Sequence, residues 1–192
     1  MDLRQLLFRN RSYTPIPLAL AILFYARRDE VLFLTGLAVI GLGELIRMRG
    51  VRYGGGATRT RRVGAEELCT AGPFAHLRNP LYLGNMIMYA GVAVASGAEN
   101  MELMLLITVV FFVLQYGLII NLEENTLRGL FGQQYESYAK AVPRLFPRAT
   151  PWAGRTETRP LTWKQTVRTE RRTLQTLVVF LLLLVVRIFL MP

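Results

Sequence analysis

The sequence has one cysteine and one histidine among its 192 residues. A single cysteine excludes an intramolecular disulfide framework and a metal site built from thiolates. A single histidine excludes a site with two imidazole ligands and weakens the case for a catalytic zinc. The thiol, Cys69, could act as a nucleophile, but a small packed side chain is the simpler interpretation. The sequence therefore predicts no resident metal ion.

Acidic residues are also scarce, since 13 Asp and Glu face 23 Lys and Arg. This excess would suggest nucleic-acid binding in a soluble protein, but its distribution indicates otherwise. Three basic residues precede the first apolar run, seven lie between Arg47 and Arg78, and ten lie between Arg128 and Arg172. The loop 97–102 has none. Basic loops stay on the cytoplasmic side of membranes and are attracted to anionic head groups, which explains the charge without nucleic acid.

Long apolar runs decide the fold class, because hydrophobic residues make up 52% of the chain. Four runs approach the length that crosses a bilayer, and a fifth is shorter. They are Val31–Ile46, Leu81–Ser96, Leu103–Ile120, Leu174–Met191 and the shorter Pro15–Ala26. Pro15–Ala26, the first run along the chain, has no small-residue cleavage site and is not interpreted as a signal peptide. The sequence predicts an all-α polytopic membrane protein with about five spans, a cytoplasmic N-terminus and an external C-terminus.

The runs form a single domain over residues 1–192. Residues 13–48 are predicted to be an N-terminal helical hairpin, 70–148 a core with two spans, and 173–191 a last span. Residues 1–12 could form an interfacial helix. Two other segments are predicted to be irregular, a flexible cytoplasmic loop over 49–65 and a surface linker over 143–172.

Glycines mark the faces on which two of the spans are expected to pack. The second span carries Gly36, Gly41 and Gly43, and the third carries Gly84 and Gly91. Small residues let membrane helices approach closely. We therefore expect each of these spans to pack closely against another helix along its glycines.

Chemically versatile residues gather where the third span begins. Asn79 is predicted to be the N-cap and Pro80 the first helical residue. His76, Arg78 and Tyr82 surround this start. A helix N-terminus offers free N–H groups and a partial positive charge, which suit an anionic group of a ligand.

Acidic residues at the cytoplasmic ends of two spans are further candidates. Glu44 is a functional hypothesis by its position in an apolar helix, but a local ion pair with Arg47, three residues on, is the simpler interpretation. Glu123 and Glu124 follow the fourth span, and only Arg128 lies within one turn of them. These two adjacent acids are therefore candidate functional groups.

An amphipathic cytoplasmic helix is predicted after the fourth span. Leu127, Phe131, Tyr135 and Tyr138 form one stripe at helical spacing, which is typical of core packing. Gly132 is expected to interrupt this helix, and Pro143 to end it.

Two motifs in this order resemble the isoprenylcysteine carboxyl methyltransferase and phospholipid methyltransferase superfamily of integral membrane enzymes. The first is Gly72-Pro73-Phe74 followed by Arg78-Asn79-Pro80-Leu81-Tyr82-Leu83-Gly84. The second, one helical hairpin later, is Glu123-Glu124, Leu127, Phe131-Gly132, Tyr135, Tyr138, Val142-Pro143-Arg144 and Pro147. The resemblance covers residues 70–148 well, the N-terminal hairpin loosely and the last span hardly at all.

The resemblance implies methyl transfer from S-adenosylmethionine to a lipophilic acceptor at the cytoplasmic membrane face. Arg78, Glu123, Glu124 and Arg144 are the implied catalytic residues. The implied cofactor-binding residues are His76, Leu77, Arg78, Asn79, Pro80, Tyr82, Gly84, Glu123, Glu124, Leu127 and Tyr135. The implied location is the plasma (inner) membrane.

The residue types suit the groups of this cofactor. Its carboxylate favours a helix N-terminus or an arginine such as Arg78 or Arg144. Its ammonium and sulfonium favour carboxylates such as Glu123 and Glu124, and its adenine favours aromatic walls. Methyl transfer needs mainly alignment of the reactants and exclusion of water.

The methyl acceptor stays open between a phospholipid amine and an isoprenylcysteine-like carboxylate. An amine must lose a proton, for which Glu123, Glu124 or His76 could serve. A carboxylate needs a cation, for which Arg78 or Arg144 could serve. The eukaryotic carboxyl methyltransferases have His where this chain has Asn79, which weakens the case for a prenylated protein as substrate.

Two other functions remain open at this point. Membrane sterol reductases that use a reduced nicotinamide dinucleotide look similar in their C-terminal part, but they are much longer. A non-catalytic membrane scaffold would use glycines and paired charges for helix packing alone. Against a scaffold, polar residues are concentrated at two cytoplasmic span ends.

Overall fold

The computed structural model describes residues 2–55 and 64–191, and these residues form helices and no strands. The helices are α1 (Leu3–Asn10), α2 (Ile16–Tyr25), α3 (Glu30–Gly54), α4 (Pro80–Ala95), α5 (Met101–Ala141) and α6 (Trp163–Val185). A 3₁₀ turn precedes α4 at Gly72–Ala75, and a π turn extends α6 over Val186–Leu190. Helix α3, helix α5 and α6 with its extension are long and apolar enough to cross a membrane, whereas α2 and α4 are shorter apolar helices. The prediction of a helical membrane protein is confirmed.

Helices α3 and α4 pack backbone to backbone along their glycines. A Cβ atom on Gly43 would lie 2.6 Å from the backbone nitrogen of Met88, and one on Gly91 would lie 2.7 Å from that of Ile40. Gly84 is equally close, because its Cβ would lie 2.7 Å from the carbonyl oxygen of Gly43. Contacts this short exclude any side chain, as the glycine pattern predicted. The prediction was wrong for Gly41, whose Cβ would have no neighbour within 4 Å.

Helix α5 continues well beyond its apolar part. It runs through Glu123 and Glu124 to Ala141, so the predicted amphipathic helix is a continuation of the fourth apolar run. Gly132 interrupts the helical geometry with φ 48° and ψ −123°, as expected. The helix ends two residues before Pro143, as expected from the missing N–H of proline.

Two predicted irregular segments are partly helical. Helix α3 reaches Gly54, so the loop predicted over 49–65 begins later, and its residues 56–63 lie outside the described part of the chain. Helix α6 begins at Trp163, so the predicted linker is wrong over residues 163–172. A capping box starts α6, in which the Thr162 hydroxyl accepts from the Gln165 N–H and the Gln165 side chain accepts from the Thr162 N–H. Such reciprocal bonds satisfy two free donors at a helix start.

A buried group of charges links α3, α4 and α6. The Arg47 Nη2 atom lies 2.6 Å from Glu170 Oε2, and Arg47 Nε lies 3.3 Å from Glu44 Oε2. Arg47 Nη1 also donates to Asn85 Oδ1 on α4. The local Glu44–Arg47 pair is therefore confirmed as one part of an interhelical network. Since Glu170 is buried, removing its partner would leave an uncompensated charge.

Contacts made by the loops show which helix termini lie together at each end of the bundle. Arg27 donates from its backbone N–H to the carbonyl of Ser96 at 2.8 Å and pairs with Glu99 at 2.8 Å. Arg187 of the π turn donates to the carbonyl of Phe24 at 3.3 Å. The α2–α3 turn, the α4–α5 loop and the end of α6 therefore meet at one end. At the other end of the bundle lie the starts of α4 and α6 and the end of α5.

The two glycines of α3 give opposite expectations for a change to alanine. Gly43→Ala should destabilise the protein by about 1–3 kcal/mol through overpacking against α4. Gly41→Ala should instead stabilise it by about 0.5–1 kcal/mol, because alanine loses less backbone entropy in a helix. Thermal unfolding of both variants in the same detergent compares them directly. Equal shifts in the unfolding midpoint would contradict the observed α3–α4 contact.

Candidate active site

The segment before α4 is bound to the segment after α5 by hydrogen bonds. The Arg78 N–H donates to the Pro143 carbonyl at 2.9 Å, and the Arg148 N–H donates to the His76 carbonyl at 3.0 Å. The Tyr138 hydroxyl donates to the Phe74 carbonyl at 2.7 Å. The two motifs of the sequence are therefore adjacent in the fold.

Glu124 is the centre of an ion-pair cluster at this junction. Arg78 Nη2 lies 2.9 Å from its Oε1 atom, and Arg144 Nη2 lies 2.7 Å from its Oε2 atom. Arg128 Nη2 is more distant, at 4.0 Å. Only 2% of Glu124 is exposed. A carboxylate this deeply buried is stable only when it is paired and hydrogen-bonded.

The cluster contains more positive than negative charge. Hydrogen bonds to Glu124 raise the pKa of the Arg144 guanidinium above its ordinary value, which keeps that group charged. The buried Nε of Arg78 has no hydrogen-bond partner among the described residues. Free guanidinium donors are well suited to a carboxylate or phosphate. Within the cluster, Arg144 is 49% exposed, so its guanidinium can be reached by a further anionic group.

Glu123, beside Glu124 on α5, has different surroundings. Its Oε1 atom accepts a hydrogen bond from the Tyr82 hydroxyl at 3.0 Å. The Tyr82 ring lies 4.6 Å from the ring of Tyr116 on α5. The two glutamates thus contact different groups, one a tyrosine and the other several arginines. Such a difference is what permits two carboxylates to have separate chemical roles.

Asn79 and Pro80 occupy the predicted positions at the start of α4. Pro80 is the first helical residue, but the Asn79 side chain makes no capping hydrogen bond. Instead, its Nδ2 atom donates to the Arg144 carbonyl at 3.1 Å. The predicted side-chain cap is therefore wrong, and the Asn79 side chain instead binds the segment after α5.

The remaining predicted residues are distributed around this centre. Leu77 and Tyr135 are buried, and Leu127 packs against the cluster that contains Tyr135. Gly84 faces α3, where a Cβ would lie 2.6 Å from Arg47 Cγ. The contacts of Gly84 are thus with α3, and a role for it in cofactor binding stays a prediction.

His76 lines an open cleft of about 570 Å³. Its Nδ1 atom lies 2.9 Å from the carbonyl oxygen of Arg148. The lining also includes Arg155, Glu157 and Arg159, which form its charged wall, and the aromatic residue Tyr53. Cavities of about 300–1,000 Å³ are typical of small-molecule sites. The predicted site residues include only His76 from this cleft, because the segment that supplies its charged wall was interpreted as a linker.

Residues 151–161 are fixed across the cleft at several points. The Trp152 N–H donates to the Ala75 carbonyl at 2.9 Å, and the Thr156 N–H donates to the Thr70 hydroxyl at 2.7 Å. At the far end, the Leu161 N–H donates to the Arg52 carbonyl at 2.8 Å. These bonds hold the charged wall of the cleft in place.

Two features of the structure require a glycine at position 72, which lines the cleft. Its φ of +55° is a conformation that favours glycine, and a Cβ there would lie 2.5 Å from ring carbons of Tyr53. Cys69, nearby, donates from its thiol to the Tyr53 carbonyl at 3.5 Å. Burial raises the pKa of the Cys69 thiol, which disfavours the reactive thiolate and agrees with a packed side chain.

Comparisons with known proteins found a matching family model and several distant relatives. Residues 31–134 match the family model for phospholipid methyltransferases. Protein-S-isoprenylcysteine O-methyltransferase B of Arabidopsis thaliana is 30% identical over 116 residues, which are 58% of this chain and 57% of that protein. No solved structure matches the chain.

Two further relatives are bacterial resistance proteins. The cobalt-zinc-cadmium resistance protein CzcN of Cupriavidus metallidurans is 29% identical over 119 residues, 62% of this chain and 51% of that protein. The nickel-cobalt-cadmium resistance protein NccN of Alcaligenes xylosoxydans xylosoxydans is 30% identical over 82 residues, 43% of this chain and 37% of that protein. The chain thus spans between 37% and 57% of the length of these three relatives.

The family match covers more than half of the chain. It includes α4 in full and α3 except for its first residue, together with Glu123, Glu124 and their partners Arg78 and Tyr82. The resemblance carried by the two motifs is therefore confirmed. The chain belongs to the phospholipid methyltransferase family.

Proposed function

We propose that the protein transfers a methyl group from S-adenosylmethionine to a lipophilic acceptor at the cytoplasmic membrane face. The carrying observation is the junction at Glu124, where Arg78 and Arg144 bind one carboxylate beside the Tyr82–Glu123 pair. Membership of the phospholipid methyltransferase family and the similarity to a carboxyl methyltransferase support this reaction. The bound cofactor would supply a methyl group on a positively charged sulfur atom.

The cleft beside His76 fits the cofactor in size and in chemistry. Its volume of about 570 Å³ is in the range of small-molecule sites. Arg155 and Arg159 would bind the cofactor carboxylate, Glu157 its ammonium, and the Tyr53 ring its adenine. This assignment keeps His76 in the cofactor site and adds four residues that the sequence did not indicate. It differs from the sequence-based expectation for Arg78, Glu123 and Glu124, which it gives to the acceptor instead of the cofactor.

The Glu124 junction would then bind and orient the acceptor. His76 lines the cleft, and Arg78, two residues later, contacts Glu124, so one short segment joins the two places. Glu123 would accept the proton of an amine, whereas Arg144, which is half exposed, would bind a carboxylate. Both a phospholipid amine and an isoprenylcysteine-like carboxylate remain candidate acceptors.

The reaction would take place at the basic end of a bundle of five spans. This count includes the shorter apolar helices α2 and α4 as membrane-crossing elements. The basic segments around α1, the α4 start and residues 142–162 would then be cytoplasmic by the positive-inside rule. The plasma (inner) membrane is the proposed location.

Neither alternative function has comparable support. A scaffold would not need a charged cleft, and the similarity to a methyltransferase favours a methyl donor over a nicotinamide dinucleotide. Two relatives are named for metal resistance, but within residues 2–55 and 64–191 no three metal-ligating side chains are grouped. No observation in that part of the chain favours a metal-handling function.

Calorimetric titration tests the cofactor and its position. The purified protein should bind S-adenosylmethionine and its demethylated product, and not a reduced nicotinamide dinucleotide. The double variant Arg155→Ala/Arg159→Ala should lose at least about tenfold in affinity, because it lacks both cleft guanidiniums. Arg168→Ala, an exposed change on α6, is the matched control and should bind normally.

The two ways in which this titration can fail are distinct. Absence of binding by both methyl-cycle compounds would contradict the proposed function. Normal binding by the double variant would move the cofactor out of the cleft and leave the proposed reaction intact.

Labelled methyl transfer to extracted membrane lipids tests the acceptor side. With an amine acceptor, Glu123→Gln should lower the turnover rate by about 10²–10⁴-fold, since general-base catalysis contributes that much. Cofactor affinity should not change. Tyr89→Phe, which removes a hydroxyl from α4 and leaves Glu123 in place, is the control.

The same assay distinguishes the two candidate acceptors. Full activity of Glu123→Gln on an amine would exclude Glu123 as the base. Loss of activity in Arg144→Gln, with Glu123→Gln still active, would favour a carboxylate acceptor.

A further inference from the structure

Helix α1 lies at the level where the apolar part of α5 ends. Phe8 is 2% exposed and belongs to the same cluster as Ile119 and Ile120. Arg4 Nη1 donates to Asn121 Oδ1 at 3.1 Å, and Asn121 is the first polar residue after the apolar run. The position of α1 therefore coincides with the boundary between the hydrocarbon core and the head groups.

The outward face of α1 is apolar at this boundary. Leu3 is 59% and Leu6 is 42% exposed, while Arg9 is exposed on the same short helix. Apolar side chains combined with basic ones are typical of helices that lie in the membrane interface.

Phe146, on a second element, is a further exposed apolar side chain. It is 87% exposed, although its neighbour Leu145 packs against the cluster that contains Phe8. Arg144, two residues before Phe146, binds Glu124. An aromatic ring with its apolar surface in water is unfavourable, whereas the membrane interface accommodates such rings.

The charges around this surface are mostly basic. Arg144 is 49% exposed and Arg9 is exposed on α1, whereas Arg128, which is 39% exposed, pairs with Glu136 at 2.9 Å. The acid of α1's N-cap, Asp2, pairs with Arg4 at 2.8 Å. Basic residues near an anionic leaflet are attracted to its head groups. The surface therefore complements anionic head groups.

We propose that Leu3, Leu6 and Phe146 form a bilayer-contact surface that inserts into the head-group region of an anionic leaflet. Because Phe8 and Leu145 belong to one cluster with Tyr82, this contact lies beside the Glu123 side of the site. An amphiphilic acceptor would enter between α1 and the Phe146 turn without leaving the leaflet. This route rests on the proposed function, whereas the insertion itself does not.

Spin labelling measures the insertion directly, and the single cysteine makes it practical. In a Cys69→Ser background, labels are attached at Phe146→Cys, Leu6→Cys and, as a control, the exposed position Ala153→Cys. The full chain is placed in bilayer nanodiscs of phosphatidylcholine with and without phosphatidylglycerol. Labels at 146 and 6 should be more accessible to oxygen than to a water-soluble nickel chelate, and more so with the anionic lipid. The label at 153 should show the opposite preference.

Other labelling outcomes overturn the proposal. Equal preference for the chelate at 146 and 153 would place Phe146 in water. Shielding of the label at 146 from both reagents would assign the surface to a protein contact, such as a second copy of the chain. This measurement needs no methyl transfer, so its failure is distinguishable from failure of the proposed function.

Kinetics test the entry route. Phe146→Ser should raise the KM for the membrane acceptor at least about threefold, with kcat and cofactor affinity unchanged, because only access from the leaflet is impaired. Phe146→Leu keeps an apolar side chain and should behave as the unmodified protein. An unchanged KM in Phe146→Ser, with the labels inserted, would overturn the route.

Discussion

The site depends on one buried carboxylate. Glu124 is taken out of water on α5, which is unfavourable unless cations come to it. Arg78, before α4, and Arg144, after α5, supply them at 2.9 and 2.7 Å. The pairing therefore requires the two segments to dock, and docking brings Asn79 and Tyr82 against their partners on the α5 side.

A second set of contacts fixes the helices from which these segments extend. The glycine contact holds α4 against α3, and Arg47 joins both to Glu170 of α6. With α6 anchored, residues 151–161 run across the cleft and bond to Arg52 and Ala75. The cleft and the Glu124 junction are thus two consequences of one framework. We propose that they bind the two reactants of a methyl transfer.

Local signals in the sequence are sufficient to predict much of this framework. Pro80 marks the α4 start because its ring suits the first helical position, and the glycines predict a close helix contact because they lack side chains. Gly132 interrupts α5 as expected. The order of the two motifs identified the family before any distance was known.

Long-range partners could not be predicted in the same way. The sequence shows that Glu124 has few local cations, but not which distant arginines reach it. Asn79 has the composition of a cap, yet a tertiary bond to Arg144 uses its amide. The start of α6 was missed because Arg and Pro dominate residues 143–172, although Thr162 and Gln165 have the spacing of a capping box. The cleft was not predicted either, because its charged residues lie in the same Arg- and Pro-rich segment.

A double-mutant cycle between Arg78 and Glu124 tests the central claim, that this ion pair joins the two halves of the site. The free energy of unfolding in detergent is measured by denaturant titration for Arg78→Met, Glu124→Gln and the double variant. Each single change leaves a buried charge with fewer partners, so the double variant should be less destabilised than the sum by about 1–3 kcal/mol. Losses that add to within about 0.5 kcal/mol would show that the two residues are not coupled, and would contradict the account.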